Sequence, residues 1–593
     1  MNRITRREIL RRLAGISVLG AAGTAIRATL ASGSPREVRP LASHSITGST
    51  HAPSSSVVTS ALSGASTSAD HANHSTNPSA APSTTTESTT QPTTASTETI
   101  SPASSSTTSG TAAVVAPTTS APPVAAAGTS ELSGVLGPTV VPAGTTAKIV
   151  GDIELRGDLV VEGLLTGIDR FTLKGNGFQI EVRNGGQLDL RGIAKSGWVR
   201  GVAPTGWEGG DRILTAPTQA GRYALSDFHS GSPGVVNLAD GRTIVAEQFN
   251  LTRSITIDSV SRIMFHMGAG RQVLKHIAVT NSGLTGKLAF YPIHFHFNGD
   301  STRGSTVEGV VVENGRFHAF VPHASHGITF LDCVAFNTTG DAYWWDPPPG
   351  KGDTSNDSHE TVWHHCLAAS VSQLPGSTDH RLTAFSIGAG SGNRCVDCTA
   401  VGVRGGKNSS GFLWSENSVW DFRGCVAHNN PATGIFTWTN SANSHVIEAF
   451  TAYHFGRAGI EHGAYKNQFS YRNVSLTASA PVDSGSDATQ AVRQHANSDG
   501  HGLLFENVIS DDRLVIDSHG LPGTTWTIHR ASRYRGVVYA ELGGNGTSHP
   551  SRIRFEDCHV VPADFTLDGI LPDSVIEIVE GGVVAHGWAG SWT

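Results

Sequence analysis

Residues 294–365 hold eight histidines: His294, His296, His318, His323, His326, His359, His364 and His365. On a strand, positions i and i+2 share a face, so His294 and His296 project together, with Asp300 just past the following turn. If the segment folds into stacked rungs about 4.8 Å apart, a cluster spread through the sequence becomes one compact patch. Imidazoles plus a carboxylate at that spacing suit a divalent metal, Zn or Ca, with His294, His296 and Asp300 as ligands. The competing reading is a hydrogen-bonded ladder of histidines with no ion.

Carboxylates and indoles follow closely. Asp341, Asp346, Asp353 and Asp357 flank Trp344-Trp345 and the Pro347-Pro348-Pro349 turn. An aromatic ring stacks on the apolar face of a sugar while acids move protons, and glycoside hydrolysis uses two carboxylates about 5–9.5 Å apart. Asp300 and Asp346 are the preferred pair, with Asp341 third and His318 beside them. Asp341 also reads as a Gly-Asp turn residue, and adjacent strand residues cannot both face a groove, so one of Trp344 and Trp345 packs inward. Elimination needs a base and a cation for the uronate carboxylate, which Arg303, Arg316 and His318 offer. His326 and Trp414 join Trp344, Trp345, Arg303 and Arg316 as candidate sugar-binding residues.

These side chains need a scaffold of short strands. Runs such as Ala147-Lys148-Ile149-Val150, Asp158-Leu159-Val160-Val161 and Ile255-Thr256-Ile257 are β-branched and divided by Gly, Asn and Asp, the pattern of strands and turns. Phe330-Leu331-Asp332-Cys333-Val334-Ala335 recurs around Cys366, Cys398, Cys425 and Cys558, with weaker copies at Phe505-Glu506-Asn507-Val508 and Tyr471-Arg472-Asn473-Val474. One strand per repeat with loops of varying length predicts an all-β solenoid, a right-handed parallel β-helix. The repeated cysteines then stack inside it as small apolar residues. Cys395 and Cys398 form a lone CxxC, for which a metal, redox or disulfide role stays open.

Two stretches resemble a known family. Val141-Pro142-Ala143-Gly144-Thr145, Gly163-Leu164-Leu165, Gly185-Gly186-Gln187-Leu188-Asp189-Leu190-Arg191-Gly192 and Gly206-Trp207-Glu208-Gly209-Gly210-Asp211 resemble the glycine-marked G8 domain. Tyr291-Pro292-Ile293-His294-Phe295-His296-Phe297-Asn298-Gly299-Asp300 is similar to a signature of the cell-migration-inducing and transmembrane-protein-2 group of hyaluronan depolymerases. The resemblance spans roughly residues 135–370. It implies a β-rich G8 module followed by a β-helix acting on an extracellular glycosaminoglycan-like polymer.

The chain divides accordingly. Residues 1–31 read as a twin-arginine signal peptide, carrying Thr5-Arg6-Arg7-Glu8-Ile9-Leu10 and an apolar run from Leu13 to Ile26, too short for the roughly 20 residues of a membrane span. Residues 32–130 form a Ser/Thr/Ala/Pro-rich linker that cannot bury enough surface to order itself. A G8-like domain over 131–260 and the β-helix over 261–593 complete the expected layout. Removing residues 1–31 takes away six Arg and one Glu and moves the formal charge from −7 to −12, which disfavours nucleic acid as a partner. The expectation is an exported or cell-surface monomer, without a membrane span once mature, that hydrolyses an extracellular polysaccharide. The alternatives are a lyase on the same site or a non-catalytic glycan-binding adhesion protein.

Overall fold

The computed structural model describes residues 128–593, except 205, 346, 348–353, 377–380, 407, 440–442, 464–467, 479–488, 496–501, 518–525, 541–551, 569 and 571–572. The expected signal peptide and nearly all of the expected linker lie outside the described residues, and the first strand, Thr129–Leu136, begins at the linker's end. The described residues form a parallel β-helix. Successive strands pair in parallel register from Leu159–Val161 through Ile180–Val182, Ile263–Phe265 and Ile293–Gly299 to Phe320–Ser325. Isolated bridges at Tyr343 carry this face of the coil on to Thr383–Ile387. From there it continues through Ser410–Trp414, Thr433–Thr437 and Ala458–His462.

The repeat seen in the sequence has a backbone cause. In Asp332-Cys333, His365-Cys366, Asp397-Cys398 and Asp557-Cys558 the first residue sits in the left-handed region, at φ 52°, 50°, 54° and 50°. Asn473 and Asn507 do the same before Val474 and Val508. Asp and Asn tolerate this region better than other side-chain-bearing residues. Each such residue turns the chain between two strands, and the next side chain drops into the core. Asn281, Asn314 and Asn337, also left-handed, bond one another in a ladder, at 3.1 and 2.7 Å.

Inside, Phe320, Tyr343, Phe385 and Phe412 stack in sequence with centroids 4.8, 4.4 and 5.0 Å apart, the offset geometry that aromatic pairs favour. All six cysteines are free and buried. Cys395 Sγ meets Cys425 Sγ in a 3.7 Å hydrogen bond and not a disulfide, so the CxxC is part of the core. Burial raises the Cys333 and Cys366 thiols well above their ordinary range, whereas hydrogen bonds from Cys395 and Cys398 lower Cys425 against its burial; all six are shut away from solvent, and a buried thiol is inert. The six are therefore expected to resist an aromatic disulfide reagent in the native protein and to react together on unfolding. Prompt native reaction of any one would contradict this packing.

Strand pairing runs across the boundary expected at 260. Phe171–Lys174 pairs directly with Ile255–Asp258, and Gln187–Gly192 with Val273–Lys275. Residues 129–192 are thus rungs of the same coil, and 193–254 are an excursion between consecutive rungs. The excursion carries antiparallel strands Trp198–Arg200, Ile213–Thr215 and Glu247–Asn250. It docks Trp198, Phe228 and Phe249 on Val311, Val334, Phe336 and Leu367 of the coil's outer surface. At the far end Val575–Glu580 pairs antiparallel with Val583–Trp588, which covers an edge that would otherwise template further strands.

Candidate active site

In strand Ile293–Gly299 the side chains alternate as expected: Ile293 and Phe295 enter the core, while His294 and His296 leave it. His296 pairs in register with His323 of the next strand, and their Nδ1 atoms lie 3.1 Å apart. On its other side His296 stacks on His266, with centroids 5.6 Å apart and rings 8° from parallel. His294 is fully buried beneath Tyr291 and runs parallel to His323. Burial, reinforced by the neighbouring imidazoles, holds His294 far below the usual histidine range and His296 at about 4. The rings are therefore neutral at pH 7 and keep lone pairs to offer.

Next to this cluster is a cleft lined by Phe297, Gly299, Ala324, His326, Thr354, Ser355, Asp357 and His359. Its floor is strained. Phe297 and Ala324 have φ of 50° and 44°, and the strand register shifts between His296 and Gly299. A bulge of this kind re-aims side chains, and such outliers persist where surrounding structure enforces them, often at functional sites. Phe297 stays exposed while its ring touches His296 and His323, at centroid distances of 4.7 and 4.4 Å. His326 Nδ1 accepts the backbone N–H of His359 at 3.3 Å, and the two rings meet edge to face.

Asp300 is exposed and accepts two hydrogen bonds from Arg303, at 3.1 and 2.7 Å. These bonds and the Arg303 charge lower its carboxyl below the usual range, with smaller contributions from His326 and His359. Arg303 also pairs with Glu360.

The residues expected at the site do not all come together. Among the described residues, the side chains with ligand atoms close enough for one ion are His294, His296 and His323, without Asp300. Trp414 is wholly buried, with its indole N–H on the Ser418 carbonyl at 3.2 Å, so it cannot meet a sugar. Trp414→Ala is expected to cost about 3–5 kcal/mol of stability in urea unfolding, as a core cavity does. Loss of sugar binding at unchanged stability would overturn that assignment. Trp345 is also buried, lying over Gly388 where any Cβ would collide with the indole. Trp344 is half-buried and stacks on His318 at 3.9 Å.

His318 is buried too, with Nδ1 3.1 Å from the Asp341 carbonyl and burial lowering it to about 3. Asp341 Oδ1 accepts the Thr383 N–H at 2.8 Å, a positioning contact between rungs. Arg316 is exposed, whereas Arg303 is engaged by Asp300 and Glu360. The trio considered for elimination is thus spread over different surroundings. Asp346 and Asp353 lie outside the described residues. The sequence reading did not single out Phe297, His359 or Asp357 for this cleft, nor His323 as a ligand. The available signal for His323 was its spacing of 27 residues after His296, a rung length also found between Cys398 and Cys425.

Fold and site together define a parallel β-helix with a histidine-lined cleft on its outer face. Residues 260–439 match the family model described as CEMIP beta-helix. The matched segment contains the imidazole cluster and the whole cleft. No curated protein sequence matches the chain. Among solved structures, the chain is similar to the receptor-binding protein of bacteriophage Det7, a podoviral tailspike in a myovirus. That match has 12% identity, covers 79% of this chain and 74% of that one, and has a TM-score of 0.23. Endopolygalacturonase I from Stereum purpureum matches at 12% identity over 76% of this chain and 95% of that one, with a TM-score of 0.18. The GH136 lacto-N-biosidase from Eubacterium ramulus matches at 8% identity over 72% and 63%, with a TM-score of 0.19.

Proposed function

We propose that this protein is an exported polysaccharide depolymerase that hydrolyses an acidic, glycosaminoglycan-like polymer of the hyaluronan type in the cleft beside the His294–His296–His323 cluster. The observation that carries the reading is the CEMIP-type β-helix over residues 260–439, within which the cleft lies. Asp300, kept ionised by Arg303, is suited to activate water or attack, and the second carboxylate comes from the segment holding Asp346 and Asp357. Asp357 is the described carboxylate on the cleft wall. Phe297 offers an exposed ring for a sugar face. Hydrolysis is favoured over elimination because Arg303 is bound to carboxylates and His318 is shielded beneath Trp344.

The test is incubation of the chain with hyaluronan, chondroitin and neutral glycans, following polymer length and the ultraviolet absorbance of unsaturated ends. Shortening of an acidic polymer without new absorbance is expected. Shortening with absorbance would make the enzyme a lyase. Binding without shortening on every polymer would make the protein a glycan-binding surface component.

A further inference from the structure

We propose that His294, His296 and His323 bind one divalent transition-metal ion, zinc foremost, and that calcium does not occupy this site. The proposal deepens the depolymerase reading by naming a cofactor class, and rests on that reading only for the ion's part in catalysis.

The geometry is close to what an ion requires. One nitrogen from each ring lies within 4.8 Å of the others. A tetrahedral zinc ion with bonds of about 2.0–2.1 Å holds its nitrogens about 3.3 Å apart. His296 and His323 already bring their Nδ1 atoms to 3.1 Å, so side-chain rotation is enough to complete the set. The parallel register of two adjacent strands fixes where these rings start.

His294 supplies the second observation. Its ring is fully buried, and its Nε2 has no hydrogen-bond partner among the described residues. A buried polar atom in that condition calls for an explanation, and an ion is one. Its Nδ1 faces the Ala289 carbonyl at 3.4 Å. That contact puts the ring proton on Nδ1 and leaves the Nε2 lone pair for a metal, as outer hydrogen bonds do in histidine sites.

The donor chemistry selects the ion. Imidazole suits Zn, Cu, Ni and Fe, whereas calcium takes six to eight oxygens. The nearby exposed carboxylate, Asp300, is held by Arg303. Three protein ligands with a free position are the arrangement of reactive zinc sites, not of closed structural ones. The cluster touches Phe297 at the edge of the cleft. An ion here would fix positive charge beside that cleft in a chain of net charge −7, which an anionic polymer needs.

The experiment uses the full chain made without a polyhistidine tag, stripped with a chelator and re-equilibrated separately with zinc, cobalt or calcium. One zinc per chain is expected by mass spectrometry of the metal, with the visible absorption of tetrahedral cobalt in the cobalt form. His296→Ala, at a half-buried ring, is expected to weaken zinc at least about 100-fold, and His364→Ala, at an exposed ring elsewhere, to leave it unchanged. His323→Asn gives an independent second variant, and circular dichroism shows that each is folded. No stoichiometric zinc, zinc binding indifferent to both ligand variants, or calcium taken in preference would each overturn the proposal. Polymer shortening is followed on the same samples. Zinc binding without shortening removes the depolymerase reading and leaves the metal site standing, and shortening without zinc does the reverse.

Discussion

Asp300→Asn is expected to lower the rate of polymer shortening by about 10²–10⁴-fold, the range for losing a positioned acid or base. The melting temperature is expected to stay where it is. The side chain is exposed, the amide is isosteric, and an exposed ion pair contributes little to folding. The pH profile separates a chemical role from a structural one. Arg303 lowers the Asp300 carboxyl through its hydrogen bonds and charge, so the ionised form persists to a lower pH than an ordinary carboxylate allows. An activity that needs this anion is present above the depressed value and lost as pH falls through it. Arg303→Ala should therefore move the acidic limb of the profile upward, in addition to any change in rate. Wild-type rates from Asp300→Asn on the preferred polymer would remove Asp300 from the chemistry.

The sequence carries the coil more legibly than the site because the coil repeats and the site does not. Asp332-Cys333, Asp397-Cys398 and Asp557-Cys558 each encode a left-handed turn followed by a small inward residue, and the repetition makes the pattern visible. The pairing of His294 with His296 follows from strand alternation alone. His323 was harder to place, because neighbouring rungs differ in length, 23 residues from Val311 to Val334 but 33 from Val334 to Leu367, and a variable rung hides which histidines stack. Asp300 follows His296 by four residues, yet the bulge at Phe297 turns the chain between them, and a single strained residue leaves no periodic trace. Trp414 reads as a sugar platform or as a core filler with equal ease, since an indole near a carboxylate looks the same on either side of a strand. The excursion over 193–254 escaped notice because its short strands and glycines share the rhythm of the coil that it interrupts.

That excursion is fastened by a buried charge cluster, and Glu247→Gln is expected to cost about 3–5 kcal/mol, the penalty for breaking a buried ion pair from one side. Glu247 is wholly buried. It accepts from Arg200 Nε at 2.7 Å, and its other oxygen meets His428 Nε2 at 2.8 Å. Arg200 belongs to the excursion with Glu247, whereas His428 lies on the coil strand Val426–His428. The other ring nitrogen of His428 faces Asn429 Oδ1 at 2.9 Å, and the Asn429 amide is held by the Gln219 and Arg222 carbonyls. The amide of a Gln could keep part of this bonding but would leave Arg200 and His428 without their anion. Burial alone would raise the Glu247 carboxyl, but the charges and hydrogen bonds of His428 and Arg200 outweigh it and bring the group down to about 2. With a folded value below the unfolded one, the stabilisation is complete above about pH 4.3 and is lost as pH falls toward 2. Urea unfolding at neutral pH should show the lower midpoint of Glu247→Gln, and the difference from wild type should shrink across that acidic window. A midpoint equal to wild type, or a gap that stays constant down to pH 2, would show that the cluster does not hold the excursion to the coil. The candidate cleft is built on a different face from Val426–His428, so the folded fraction of this variant should keep whatever rate of polymer shortening the wild type has, in contrast to Asp300→Asn.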